Sequence, residues 1–174
     1  MRSAPTQPLS LRAMTAADLD DVVSLEAEVQ VTPWSAALFA RELGQPDRQY
    51  AVVRTDTGDL AGFGGLWLSL EDAHITTLVV APAHRRQGIG SALVDQLLQL
   101  AVEMGAGAAT LEVRAGNTAA IELYRGFGFA PVGVRPRYYP SGSSEQDRED
   151  AIIMWLHDLP DRDPGRRTMS EEVA

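Results

Sequence analysis

The stretch His84 to Val94, HRRQGIGSALV, lies between an apolar β-rich run, ITTLVVAP, and a helically periodic run that continues to Met104. A strand, a glycine loop and a helix in that order leave the first backbone N–H groups of the helix without partners and turn the positive end of its dipole outward. Glycines at positions 88 and 90 let a ligand approach the backbone closely, while Arg85 and Arg86 add positive charge, so the stretch reads as an anion site. It is no triphosphate loop of the GxxxxGKS/T kind, because the chain has no lysine, and it does not match GxGxxG. A pyrophosphate held mainly by backbone is the specific reading. A simple turn with solvated arginines is the alternative.

The bulk properties narrow the rest. With 174 residues, 45% of them hydrophobic, the chain can build one domain with a real core. No cysteine is present, which excludes disulfides, thiolate metal sites and cysteine nucleophiles. The absence of lysine excludes Schiff-base chemistry. A net charge of −9 disfavours a nucleic-acid partner and favours a basic partner or a cationic substrate. No apolar run approaches the roughly 18 residues of a membrane span, and MRSAPTQPLSL lacks the apolar centre of a signal peptide, so no membrane association and a cytoplasmic location are expected.

Upstream of the glycine loop, YAVVRT, LAGFGGLWLSL and AHITTLVVA are three β-rich runs separated by Asp56-Thr57-Gly58-Asp59 and Glu71-Asp72, which predicts an antiparallel meander. Before them, LSLRAM alternates as a first strand with Leu9, Leu11 and Ala13 on one face. Thr15 to Asp18 has a capping-box pattern opening a helix to Val29, and a second short helix runs from Ser35 to Gly44. Downstream, a helix from Gly88 to Met104 shows Ile89, Leu93, Leu97, Leu100 and Ala101 on one face. Then come a strand ATLEVRA, a short helix capped by Asn117, and strands FAPVGVRPRYY and EDAIIMWLH. The crossover from TTLVV to ATLEV is the parallel connection. The expected fold is α/β, one domain over residues 1–158, followed by a disordered polar tail over 159–174.

Arg85-x-x-Gly88-x-Gly90, placed after a strand and before a long helix, resembles the pyrophosphate loop Q/R-x-x-G-x-G/A of the GNAT acetyltransferase superfamily. LEVRAGNTAAIELYRGFGF, RPRYYP, REDAIIM and Pro33-Trp34-Ser35 resemble a narrower group, the RimI-type ribosomal-protein-alanine N-acetyltransferases. The resemblance implies a GNAT fold, with a mixed, mostly antiparallel sheet of about seven strands and helices on both faces. It implies acetyl-CoA as co-substrate, held by Leu78, Val79, Val80, Arg85, Arg86, Gln87, Gly88, Ile89, Gly90, Ser91 and Asn117. It also implies an acceptor in the N-terminal alanine of small-subunit ribosomal protein eighteen. The alternatives are a GNAT enzyme acting on other peptides or small amines, and a non-catalytic acetyl-CoA-binding module, for instance for a tRNA-modification complex partner.

By the same resemblance, Glu112 is the general base and Tyr124 the general acid for the departing thiolate, while Trp34, Tyr138 and Tyr139 contact the peptide. Read from the residues alone, Glu112 is a strand carboxylate that solvent would ordinarily face, and Tyr124 is a core aromatic between Leu123 and Phe127. An α-amino group titrates near pKa ~7.7–8, so its deprotonation near neutral pH costs only about 1 kcal/mol. His74, His84 and His157 lie on separate elements with no i, i+4 pair, so no metal site is expected. Without a cysteine nucleophile, direct attack in a ternary complex is expected.

Overall fold

The computed structural model of the chain describes residues 9–161. Strand β1 (Leu9–Ala13) leads through a 3₁₀ turn at Ala16–Asp18 into α1 (Leu19–Val29). Asp18 explains why the turn precedes the helix. It accepts the Thr15 N–H at 2.9 Å, and its buried carboxylate is also gripped by Arg12 and by Arg54, each as close as 2.7 Å. Helix α2 (Ala36–Leu43) starts where Ser35 Oγ accepts the Leu38 N–H at 3.2 Å, and it ends at Gly44.

The meander follows as β2 (Arg48–Thr55), β3 (Leu60–Ser69) and β4 (Asp72–Val80). After it come α3 (Ile89–Glu103), β5 (Ala108–Arg114), α4 (Thr118–Gly126), β6 (Ala130–Pro140) and β7 (Arg148–Leu156). They form one seven-stranded sheet of order β1-β2-β3-β4-β5-β7-β6, in which β4 and β5 run parallel and the other pairs antiparallel.

Strand alternation divides the core between two faces. On β2, Tyr50 and Val52 pack with Val22, Leu25 and Phe39 of α1 and α2, whereas Ala51 and Val53 meet Ile89 and Leu93 of α3. Helix α3 buries Ile89, Leu93, Val94, Leu97, Leu98 and Ala101, and each large member contributes about 1.5–3 kcal/mol. Among the described residues no helix is long and apolar enough to cross a membrane.

Strand β1 forms where the alternation predicts it and is exposed along its length, with Leu9 and Leu11 each 37% accessible, because it pairs only with β2 at the sheet edge. One expectation needs correction. Leu159 is no part of a disordered tail: it is buried beside Ala106 and Phe129, and its N–H reaches the Gly107 carbonyl at 3.0 Å. The packed domain therefore extends at least to Leu159, at the start of the 3₁₀ turn Leu159–Asp161. The reading of 162–174 as a disordered tail lies outside the described residues.

What matters for function is a break in the sheet. Strands β4 and β5 pair only at Asp72–Ala108, Ala73–Ala109 and His74–Thr110. Against β3, Gly65 stands opposite Thr77 and Leu66 opposite Ile75, so Thr76 is an extra residue, and this bulge bends β4. Beyond it β4 stays with β3 as far as Val80 while β5 stays with β7, and a gap opens between the two parallel strands.

Candidate active site

The gap forms a cleft of about 260 Å³ lined by Ile75 to Leu78 of β4, Leu111 to Arg114 of β5, and Tyr124 of α4, with Glu26, Trp34 and Tyr139 among its other walls. The sequence-predicted residues Glu112, Tyr124, Asn117, Trp34, Tyr139 and Leu78 meet here. Val79, Val80 and the glycine loop do not line this cleft; they carry β4 onward from it.

Glu112 is held from three sides. Its Oε2 lies 2.6 Å from His74 Nε2, its Oε1 accepts from Arg135 Nε at 3.2 Å, and the Tyr139 hydroxyl donates to its backbone carbonyl at 3.1 Å. Only 13% of the side chain is accessible. The hydrogen bond from His74, which outweighs the effect of burial, holds the carboxyl below the usual carboxylate range. Glu112 is therefore ionised at neutral pH.

Tyr124 is buried against Phe129, ring to ring at 5.8 Å, and lines the cleft. Its role as core aromatic and its presence at the site coexist. Burial pushes its hydroxyl well above the ordinary tyrosine pKa, so it is protonated at neutral pH and available as a donor. About two turns earlier, Asn117 caps α4 by accepting the Ala120 N–H at 3.2 Å.

The glycine loop keeps the predicted form. Arg86 and Gly88 both have positive φ, 62° and 81°. The first hydrogen bond of α3 runs from the Ala92 N–H to the Gly88 carbonyl at 3.0 Å, which leaves the N–H groups of Ile89, Gly90 and Ser91 without a helical acceptor. A Cβ at Gly88 would meet nothing within 4 Å, whereas one at Gly90 would come within 3.2 Å of Leu123. Gly88 thus keeps the approach open, and Gly90 lets α4 pack closely. The Ile89 side chain is core, and only its backbone faces the loop. Arg85, Arg86 and Gln87 are exposed, and neither arginine pairs with a carboxylate among the described residues. Free amide donors, an open glycine and two guanidiniums without a carboxylate partner among the described residues fit a pyrophosphate.

The aromatic residues divide. Trp34 packs on Phe39 at 5.3 Å and also lines the cleft. Tyr139 lies in the cleft under the Arg114 guanidinium, and burial pushes its hydroxyl up to about 12. Tyr138 stands outside the cleft lining, 46% exposed, with its ring edge-on to Tyr139 at 4.9 Å.

Three polar residues at or beside the site escaped sequence reading. His74 and Arg135 become partners of Glu112 only through the strand register, which no local pattern reveals. Glu26 did leave a signal. It falls on the buried stripe Val22, Leu25, Glu26 of α1, where a carboxylate is out of place. It is 3% exposed, its Oε1 accepts the Trp34 N–H at 3.3 Å, and burial raises its carboxyl pKa.

The family model of the GNAT acetyltransferases matches residues 19–129. This chain belongs to the GNAT family. It is 35% identical over 84% of its length to the ribosomal protein bS18-alanine N-acetyltransferase of Escherichia coli K12, covering 96% of that protein. It is 38% identical over 79% of its length to the N-alpha-acetyltransferase RimI of Mycobacterium tuberculosis, covering 88% of it. The crystal structure of the ribosomal-protein-S18-alanine N-acetyltransferase from Escherichia coli superposes with a TM-score of 0.78 at 32% identity, over 87% of this chain and 94% of that one. The GNAT chain is accordingly an acetyl-CoA-dependent N-acetyltransferase, and the break between β4 and β5 is its candidate reaction site.

Proposed function

We propose that this GNAT enzyme acetylates the α-amino group of an N-terminal alanine on ribosomal protein bS18, by direct attack in a ternary complex. The observation that carries the reading is the cleft itself, where a held carboxylate, a protonated tyrosine and an aromatic wall converge in the sheet gap. The name of the Escherichia coli relative, at 35% identity, supports the acceptor, and that of the Mycobacterium tuberculosis relative supports transfer to an α-amine. A basic ribosomal protein would be attracted to a chain of net charge −9, an effect that salt screens.

When bound, acetyl-CoA supplies the thioester whose acetyl group is transferred. On the protein's side, the N–H groups of Ile89, Gly90 and Ser91, with Arg85, Arg86 and Gln87 around Gly88, hold the pyrophosphate. Leu78, Val79 and Val80 offer the β4 edge facing the gap, and Asn117 adds a polar contact. The amine must lose a proton before it can attack. Direct transfer to Glu112 from an ammonium of pKa ~7.7 is uphill by more than about 4 kcal/mol, since the carboxyl lies below its ordinary value near 4.3. Glu112 therefore works with its hydrogen-bonded partner His74, the proton passing toward that pair or through water to solvent. Tyr124 donates a hydrogen bond to the departing sulfur, and its high pKa makes complete proton transfer secondary to that donation. Trp34 and Tyr139 wall the acceptor, and the exposed Tyr138 meets residues further along the peptide.

The test is mass spectrometry of a synthetic peptide beginning Ala-Arg-Tyr after incubation with acetyl-CoA. A gain of one acetyl group on the α-amine is expected. Unmodified peptide in the presence of an enzyme that binds acetyl-CoA would move the acceptor elsewhere.

A further inference from the structure

Two carboxylates line the cleft, and they differ in one respect. Both oxygens of Glu112 are engaged, by His74 and Arg135. Glu26 has given only Oε1, to the Trp34 N–H, and its Oε2 is buried with no hydrogen-bond partner among the described residues. Only 3% of the residue is accessible to solvent. A buried acceptor without a partner costs about 1–3 kcal/mol, more if charged, so the position is poorly explained by folding alone.

The cleft's own cation does not relieve it. Arg114 is directed elsewhere, to the Pro140 carbonyl and Glu149 with its guanidinium over the Tyr139 ring. Tyr124 and Tyr139 are the remaining titratable groups in the lining, and neither hydrogen-bonds Glu26 among the described residues. The vacant oxygen belongs to a residue tied to the backbone of Trp34, on the acceptor side of the site. A cation entering there, small and rich in N–H donors, would complete it.

We propose that Glu26 receives the acceptor's α-ammonium through Oε2, so that the enzyme selects peptides with a free amino terminus. The assignment rests on the peptide-amine reading above. An ammonium offers three donors, and a charge-assisted hydrogen bond in a dry site is about twice as strong as a neutral one. Burial raises the Glu26 carboxyl pKa, so its charge is held at a cost that a cationic acceptor offsets.

The experiment compares the wild type with Glu26→Gln on two ligands, the Ala-Arg-Tyr peptide and its propionyl twin, in which hydrogen replaces the α-ammonium. Glutamine retains an oxygen for the Trp34 N–H and removes only the charge. The expected result is a peptide KM at least tenfold higher, with the KM for acetyl-CoA, the inhibition constant of the propionyl peptide and the thermal midpoint unchanged. An unchanged peptide KM would overturn the assignment, as would equal weakening of both peptides, which marks a loss of pocket shape. Should the glutamine variant fail to fold, Glu26→Asp retains the charge but withdraws it by one methylene, and the same split between the two peptides is expected. A wild type that leaves the alanine peptide unmodified removes the acceptor reading together with this assignment. A wild type that turns it over while the variant matches its KM removes the assignment alone.

Discussion

Replacing Glu112 by glutamine tests the centre of the site, because the structure sets both a catalytic and a stability effect. The carboxylate stands at 2.6 Å from His74 Nε2 and 3.2 Å from Arg135 Nε, and an amide can present its oxygen to only one of them. Arg135 is 52% exposed, so its share is largely screened. The His74 bond, between groups 29% and 13% accessible, carries most of the loss, about 1.5–3 kcal/mol for a hydrogen bond to a charged group. For a domain of this size that lowers the thermal midpoint by roughly 3–12 °C. Loss of the charged member of a proton-accepting pair should reduce kcat about 10²–10⁴-fold. The sign of the pH dependence follows from the direction of the shift. A carboxyl held below its unfolded value of about 4.3 stabilises the protein fully above that pH and loses the contribution as pH falls through the lower folded value. The part of the difference carried by the Glu112 charge should therefore be retained down to near pH 4.3 and be lost only in stronger acid. Calorimetric scans across pH and acetyl-transfer kinetics on the alanine peptide measure both effects. A folded variant with kcat within threefold of wild type would refute the role given to Glu112.

Three further outcomes are expected. Tyr124→Phe, which removes a buried hydroxyl and keeps the ring against Phe129, should leave the thermal midpoint within a few degrees while lowering kcat at least tenfold, read by the same kinetics. Gly88→Ala should destabilise the fold by about 1–2 kcal/mol, because alanine disfavours a φ of 81°; it should also raise the KM for acetyl-CoA, with the peptide KM unchanged, since its Cβ would point into the open side of the loop. Asp18→Asn should cost about 3 kcal/mol in denaturant unfolding at neutral pH, near the low end for a broken buried pair because Arg12 is 42% exposed. As Arg12 holds the Asp18 carboxyl well below its ordinary range, that difference should persist down to about pH 4 and disappear in stronger acid.

Local pattern made most of the fold legible. The periodic run from Ile89, the caps at Ser35 and Asn117 and the β-rich runs before Pro82 each reported a short-range preference that tertiary packing did not override. The placement of β7 between β5 and β6 was beyond such reading, since strand adjacency is settled by pairing over distance. At the site, Glu112, Tyr124 and the glycine loop were visible through their motifs, whereas His74 and Arg135 met Glu112 only across strands. Glu26 was readable in principle, as the one carboxylate on a buried helical stripe.

The gap between β4 and β5 has a consequence for how change elsewhere reaches the site. One wall is fastened to β3 and the other to β7, so the mouth behaves like a split plank clamped along its outer edges. Its width belongs to those clamps. A repacking at Ile152 or Met154 on β7 would tilt the wall that carries Glu112, although neither residue touches the cleft. The outer hairpin, beyond any side chain it lends to the cleft, thereby sets the aperture of the candidate site.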